Sequence, residues 1–204
     1  FGPLQGAQAA LLADLRAALA RQGSGVLPRQ AVPACAADLR ALWERAAPDV
    51  AALAAVLWAG AMRFGDVSDL TVADVTLTGP GIASLRLRRT KTTAFGGPPR
   101  TVSLCLPICV FRELERLVQR PPGSHLFNIP YARFLRDVRA VCPHLTAHSF
   151  RRGAVRAAME RGVSDAAVMR LTGHASLTSL AVYADCLPRT WRAEMLQASA
   201  ATLW

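Results

Sequence analysis

LTAHSFRRGAVRAAMERGVSDAAVMRLTGHASLTSLAVY, residues 145–183, is the stretch on which the reading of this chain turns. It sets His148 three residues before Arg151, a Gly173-His174 pair further on, and Tyr183 nine residues after that histidine. With Ser149 to Arg161 helical, His148 and Arg151 stand one turn apart and share a face. Gly162 stops that helix. Ser164 is placed as the N-cap of a second helix, with Val163 and Val168 at the positions of a hydrophobic staple. That helix ends near Gly173 and leaves His174 on a turn. Ser176 caps a third helix, whose apolar stripe holds Leu177, Leu180, Ala181 and Ala184. Tyr183 falls about 110° from the centre of the stripe, at the flank of the buried face, where its hydroxyl can reach a cleft.

Working outward, 204 residues are enough for one domain with a sizeable core. No apolar run reaches the ~18 residues of a membrane span. The chain begins with Phe1 and shows no signal peptide, and we read it as an excerpt of a longer protein. Five cysteines without a tight framework fit reduced thiols. The expected setting is cytoplasm or nucleoid for a prokaryotic or viral protein, and the nucleus for a eukaryotic one. The formal charge is +10, and of 24 lysines and arginines only Lys91 is a lysine. Such a surplus suits a polyanion such as DNA, or serves solubility in a chain that favours arginine.

Before the opening stretch the periodicity predicts further helices. Leu4 to Arg21 is amphipathic, and Gly23-Ser24-Gly25 ends it. Pro33 to Ala46 turns Leu39, Leu42 and Trp43 inward. Asp49 to Ala59 is apolar nearly all round, hence central and buried, and it delivers the chain to an isolated charge at Arg63. Val75 to Arg89 and Arg100 to Leu104 read as strands; Leu85 and Leu87 alternate with Arg86 and Arg88, giving one apolar and one basic face. Pro107 to Arg120 and Pro130 to Val141 are helical, and Tyr131 falls on the apolar stripe of the second. The expected fold class is mainly α with a small antiparallel β-sheet.

His-x-x-Arg, then Gly-His, then Tyr resembles the active-site signature of the tyrosine recombinases, the phage-integrase family. The resemblance covers roughly Pro33 to Pro188. The family's arginine after a buried helix, in a Gly-x-Arg-x-x-Glu-like turn, corresponds to Arg63 in Gly60-Ala61-Met62-Arg63-Phe64-Gly65-Asp66. One extra residue separates the glycine, and Asp66 replaces the glutamate. The family's sheet lysine corresponds to Lys91 in Thr90-Lys91-Thr92. His148, Arg151, His174 and Tyr183 complete six positions in order.

The resemblance implies a helical catalytic domain with a three-stranded sheet at its edge. Residues 25–188 would be the core, 1–24 a linker or first helix, and 189–204 a C-terminal helix that buries on its own domain or docks in a neighbouring protomer. An amino-terminal DNA-binding domain would lie outside this chain. It further implies that the Tyr183 hydroxyl attacks a DNA phosphodiester, forming a 3′-phosphotyrosyl bond without metal, ATP or cofactor. Arg63 and Arg151 would hold the non-bridging oxygens, with His174 adding a hydrogen bond. His148 would take the tyrosine proton and Lys91 would protonate the leaving 5′-oxygen, which arginine cannot do. Arg86, Arg88, Arg89 and Arg152 are the expected DNA contacts. Double-stranded DNA is the expected partner, with four protomers on two duplexes, as in integration or transposition of a mobile element.

Taken singly, each residue has a plainer explanation. Arg63 suits a structural pair with Asp66 or Asp69, His148 a helix cap, His174 a turn and Tyr183 a core edge. A zinc site from Cys105, Cys109, Cys142 and His144 is disfavoured, because Cys105 ends a strand and Cys109 begins a helix. Alternatives for the whole are a type IB topoisomerase, which rejoins the same strand, and a non-catalytic DNA-binding protein descended from a recombinase. A helical interaction domain without a DNA role is more remote.

Overall fold

The computed structural model of the chain describes residues 30–88 and 99–173. Helix α1 (Ala36–Arg45) and helix α2 (Pro48–Ala59) are followed by the single turn α3 (Phe64–Val67). A 3-10 turn (Val72–Asp74) then leads into strands β1 (Val75–Gly79), β2 (Ile82–Leu87) and β3 (Arg100–Cys105). Helices α4 (Ile108–Leu117), α5 (Tyr131–Val141), α6 (Ala147–Glu160) and α7 (Asp165–Thr172) complete the described order. The architecture is mainly helical with one small antiparallel sheet, as the sequence predicts.

Helix α2 is the centre. Val50 to Ala54, Val56 and Leu57 are all buried, as a helix apolar on every side must be. Around it pack Leu42 of α1, Leu114 of α4, Phe134 and Val138 of α5, and Phe150 of α6, in one continuous core. Helix α6 lies close enough to the segment before α1 that the Ala34 amide donates to the Ser149 carbonyl at 2.9 Å. A Cβ on Gly153 would come within 2.0 Å of the Ala34 carbonyl oxygen, so only glycine permits that approach.

Two local expectations are corrected. The run from Val75 to Arg89 is not one strand: Pro80-Gly81 turns it into a hairpin, with Val75 opposite Leu85 and Leu77 opposite Ala83. Gly81 adopts φ 78° there, a conformation that suits glycine. Strand β3 adds on the far side with Leu85 opposite Val102. Tyr131 is not a core residue but 49% exposed. Its ring meets Phe64 edge-on at 5.1 Å between centroids, and Phe64 in turn contacts the buried Phe134. Among the described residues no helix is long and apolar enough to cross a membrane.

Candidate active site

Three elements bring cations to one place, and each does so for a legible local reason. The first is the turn that ends α2. The Met62 amide donates to the Leu57 carbonyl and the Ala61 amide to the Trp58 carbonyl, the paired bonds of a Schellman cap. Such a cap needs a left-handed residue just past the helix, normally glycine. Here that residue is Ala61, at φ 47°. Gly60 is the cap before it and serves another purpose: a Cβ there would collide with the Met62 side chain at 2.6 Å. The extra residue in the Gly-x-Arg match is thereby explained, because Ala61 holds the conformation expected of the motif's glycine. Arg63 follows, half-buried. Asp66 accepts from the Arg63 backbone amide at 2.8 Å and so caps α3. Among the described residues no hydrogen bond or ion pair restrains the Arg63 guanidinium.

The second element is α6. It starts at Ala147, two residues earlier than predicted, because Thr146 is its N-cap and the Ser149 hydroxyl accepts from the Thr146 amide at 2.9 Å. His148 therefore lies in the first turn and Arg151 one turn on. Arg151 is 1% exposed, and its Nη1 donates to the Ala61 carbonyl at 2.7 Å. His148 is exposed. Partial desolvation and the charges of Arg151, Arg152 and Arg63 lower its pKa below the ordinary histidine value, so the neutral ring is favoured. Arg152 is only 4% exposed. Its charge acts on His148.

The third element is β3, and its contribution was missed in the sequence. Arg100 is in phase with the buried Val102 and Leu104, so the two-residue period of the strand turns it inward. An arginine at an inward position was the available signal. Its Nη2 donates to the Arg170 carbonyl at 2.9 Å and also to the Leu171 carbonyl. Desolvation lowers its pKa, as do the nearby charges of Arg151 and Arg63, against an opposing effect from Asp66. Helix α7 ends there as predicted: the Ser164 hydroxyl caps its start and Gly173 turns left-handed at φ 70° after its end.

On β2, Arg86 points outward opposite Thr101 while Leu85 and Leu87 are buried. Arg88 pairs with the buried Asp74 at 2.5 Å and keeps 56% of its side chain exposed. Lys91, Arg89, His174 and Tyr183 lie outside the described residues, as does the C-terminal helix expected over 189–204. No group of three or more His, Cys, Asp or Glu side chains converges as a metal site would among the described residues.

No protein-family model matches the chain, and none of the curated proteins matches it. Solved structures do. The crystal structure of XerA recombinase aligns with a TM-score of 0.60 at 20% identity, covering 85% of this chain and 66% of that one. XerH site-specific recombinase, in a pre-cleavage complex with its difH substrate, aligns at 0.59 and 17% identity, covering 78% and 51%. The catalytic domain of bacteriophage HP1 integrase aligns at 0.58 and 18% identity, covering 81% of this chain and 94% of that domain. This chain thus spans about two thirds of the XerA chain and half of the XerH chain, and almost the whole of the HP1 catalytic domain. Helix order, edge sheet and these alignments together establish that the chain has the fold of a tyrosine recombinase catalytic domain.

Proposed function

We propose that this chain is the catalytic domain of a site-specific DNA recombinase that cleaves and rejoins strands through a 3′-phosphotyrosyl intermediate. One observation carries the reading. Arg63, Arg100 and Arg151, from three separate elements, lie close enough for their charges to perturb one another or the neighbouring His148. Like charges gathered at this cost are relieved by an anion, and a phosphodiester carries the two oxygens that guanidinium forks hold best. The fold shared with XerA, XerH and the HP1 integrase domain supports the same reading.

In the proposed reaction Arg63 and Arg151 hold the non-bridging oxygens as negative charge grows on them. Arg151 spends Nη1 on the Ala61 carbonyl, which orients the rest of its fork. The Tyr183 oxygen bonds to phosphorus and the 5′-oxygen leaves. Neutral His148 receives the tyrosine proton, Lys91 supplies one to the leaving oxygen, and His174 donates to the phosphate. Attack by the freed 5′-hydroxyl of another duplex releases the tyrosine, so strand exchange needs no external energy source. Arg86, Arg88 and Arg89 contact the DNA backbone beside the site, and Arg152 acts through its charge on His148. Four protomers on two duplexes form the synaptic assembly, with residues 189–204 docking in trans.

The test is covalent trapping from a pool of nicked duplexes of randomised sequence. A nick just beyond the scissile bond lets the short fragment that carries the new 5′-hydroxyl diffuse away and strands the protein on DNA. The expected result is a denaturation-resistant adduct that enriches one sequence; Tyr183→Phe should abolish the adduct and leave DNA affinity nearly intact. No adduct from the unaltered chain overturns the proposal. Relaxation of supercoiled DNA without strand exchange would assign it to the type IB topoisomerases instead.

A further inference from the structure

Arg100 belongs to none of the six motif positions, yet it makes contacts that join two arms of the site. It is the first residue of β3, directly after the segment that carries Lys91. Its Nη2 reaches the carbonyls of Arg170 and Leu171, in the last turn of α7. Its Nη1 lies against Gly173, where a Cβ would sit 2.6 Å from it. The next residue is His174.

We propose that Arg100 is a positioning residue: its guanidinium clamps the end of α7 to β3 and so fixes where His174 meets the phosphate. This rests on the recombinase reading above. The chemistry suits a clamp. A helix C-terminus carries partial negative charge and unsatisfied carbonyls, and a cation there satisfies both. Nη2 presents two coplanar N–H groups to these two acceptors, a fixed geometry that the freely rotating ammonium of lysine lacks. Gly173 completes the device, because its left-handed φ and its bare Cα both make room for the guanidinium. The cost is visible as well: half-burial beside Arg63 and Arg151 disfavours the charged form of Arg100. A surface salt bridge placed elsewhere would stabilise the fold without that penalty, so the location points to a role in the site.

Two measurements on the full chain test the proposal. The first is hydrogen exchange of the peptide spanning 165–173, read without DNA. Arg100→Ala should speed exchange of the amides at the end of α7, including that of Gly173, which bonds the Met169 carbonyl. Protection in α2 should not change. If Arg100→Ala loosens α2 as well, Arg100→Met, of similar length, is read in its place. Unchanged exchange at 165–173 overturns the clamp.

The second measurement is the single-turnover rate of adduct formation on the duplex enriched by trapping. Arg100→Ala should lower it roughly 10- to 100-fold, the scale of a misplaced group, with DNA affinity little altered. In a His174→Ala background the same substitution should cost less than about twofold, since its route of action is already gone. Full multiplication of the two losses would mean that Arg100 touches the phosphate itself, and would overturn the positioning role. Absence of any adduct from the unaltered chain overturns the recombinase reading and the role of His174 with it, while exchange still decides the clamp.

Discussion

The guanidinium of Arg151 rests on the carbonyl of Ala61, 2.7 Å from Nη1, so one turn of backbone positions two arginines of the site. Ala61 accepts from Arg151, and Arg63 follows two residues later. The turn therefore transmits any distortion to both. Ala61 sits in the left-handed region, which costs a non-glycine residue about 1–2 kcal/mol. Glycine would remove that strain but would lose a buried methyl worth about 0.8 kcal/mol and gain unfolded-state entropy worth about 0.4–1 kcal/mol. Ala61→Gly is thus expected to leave stability within about 1 kcal/mol of the unaltered chain, by this balance. Ala61→Val places a β-branched residue in the same conformation and should cost at least about 2 kcal/mol. Chemical denaturation of both variants checks this; equal stabilities would show that the left-handed turn is not present in solution.

Arg151→Lys keeps the charge and removes the fork. A lysine cannot hold the Ala61 carbonyl and a pair of phosphate oxygens at once. The expected loss of stability is about 1–3 kcal/mol, from an unsatisfied carbonyl and a less well bonded buried cation. Adduct formation should fall at least about 100-fold, the scale of a lost transition-state donor, and DNA affinity much less. A variant that cleaves within a few-fold of normal would remove Arg151 from the phosphate.

Local geometry was readable in the sequence where short-range chemistry fixes it. The His148–Arg151 spacing is one helical turn, Ser164 and Gly173 are ordinary cap residues, and the apolar run in α2 is too uniform for a surface helix. What escaped the sequence depended on backbone conformation or tertiary contact. Ala61 takes the left-handed cap position normally held by glycine, and no periodicity reveals such an exchange. The alternation through β1 and β2 hid the turn, although Pro80-Gly81 marked it. Tyr131 lies on the helix stripe, but Phe64 fills the space beneath it. Arg100 was legible in principle from its strand phase; its partner at the end of α7 lies some seventy residues away and no local pattern names it.

Asp74 joins the 3-10 turn to the end of β2 and thereby anchors the hairpin beside the segment that carries Lys91. Burial works to raise its pKa, but hydrogen bonds from the Thr71 amide and hydroxyl and from Arg88 outweigh it, and the net shift is downward. A carboxylate depressed on folding contributes stability that is present above its unfolded pKa, about 3.9, and lost as pH falls through the folded value. Asp74→Asn should therefore cost about 1–3 kcal/mol at neutral pH, with the difference from the unaltered chain shrinking below about pH 4. Arg88→Ala should cost no more than about 1 kcal/mol, since that side chain is largely solvent-exposed. Thermal melts at both pH values decide it; a gap between Asp74→Asn and the unaltered chain that is constant with pH would contradict the assignment.

His148 gives the site a pH dependence whose direction is fixed. Desolvation and the charges of Arg151, Arg152 and Arg63 depress its pKa on folding. Between that value and about 6.5, the unfolded chain binds the proton and the folded chain does not. The stability attached to the neutral ring is thus complete above about pH 6.5 and falls as pH drops through the folded value. The neutral ring is also the form able to accept a proton from Tyr183. With protein limiting and DNA dilute, the rate of adduct formation reports the free protein, so its acidic inflection should lie below about pH 6.5. A bound phosphodiester brings negative charge into the arginine cluster and favours imidazolium. With DNA saturating, the inflection should therefore move to higher pH. His148→Gln should slow the reaction and flatten this limb of the profile under both conditions. An inflection that keeps one position at limiting and saturating DNA, or that survives His148→Gln, would show that another group accepts the tyrosine proton.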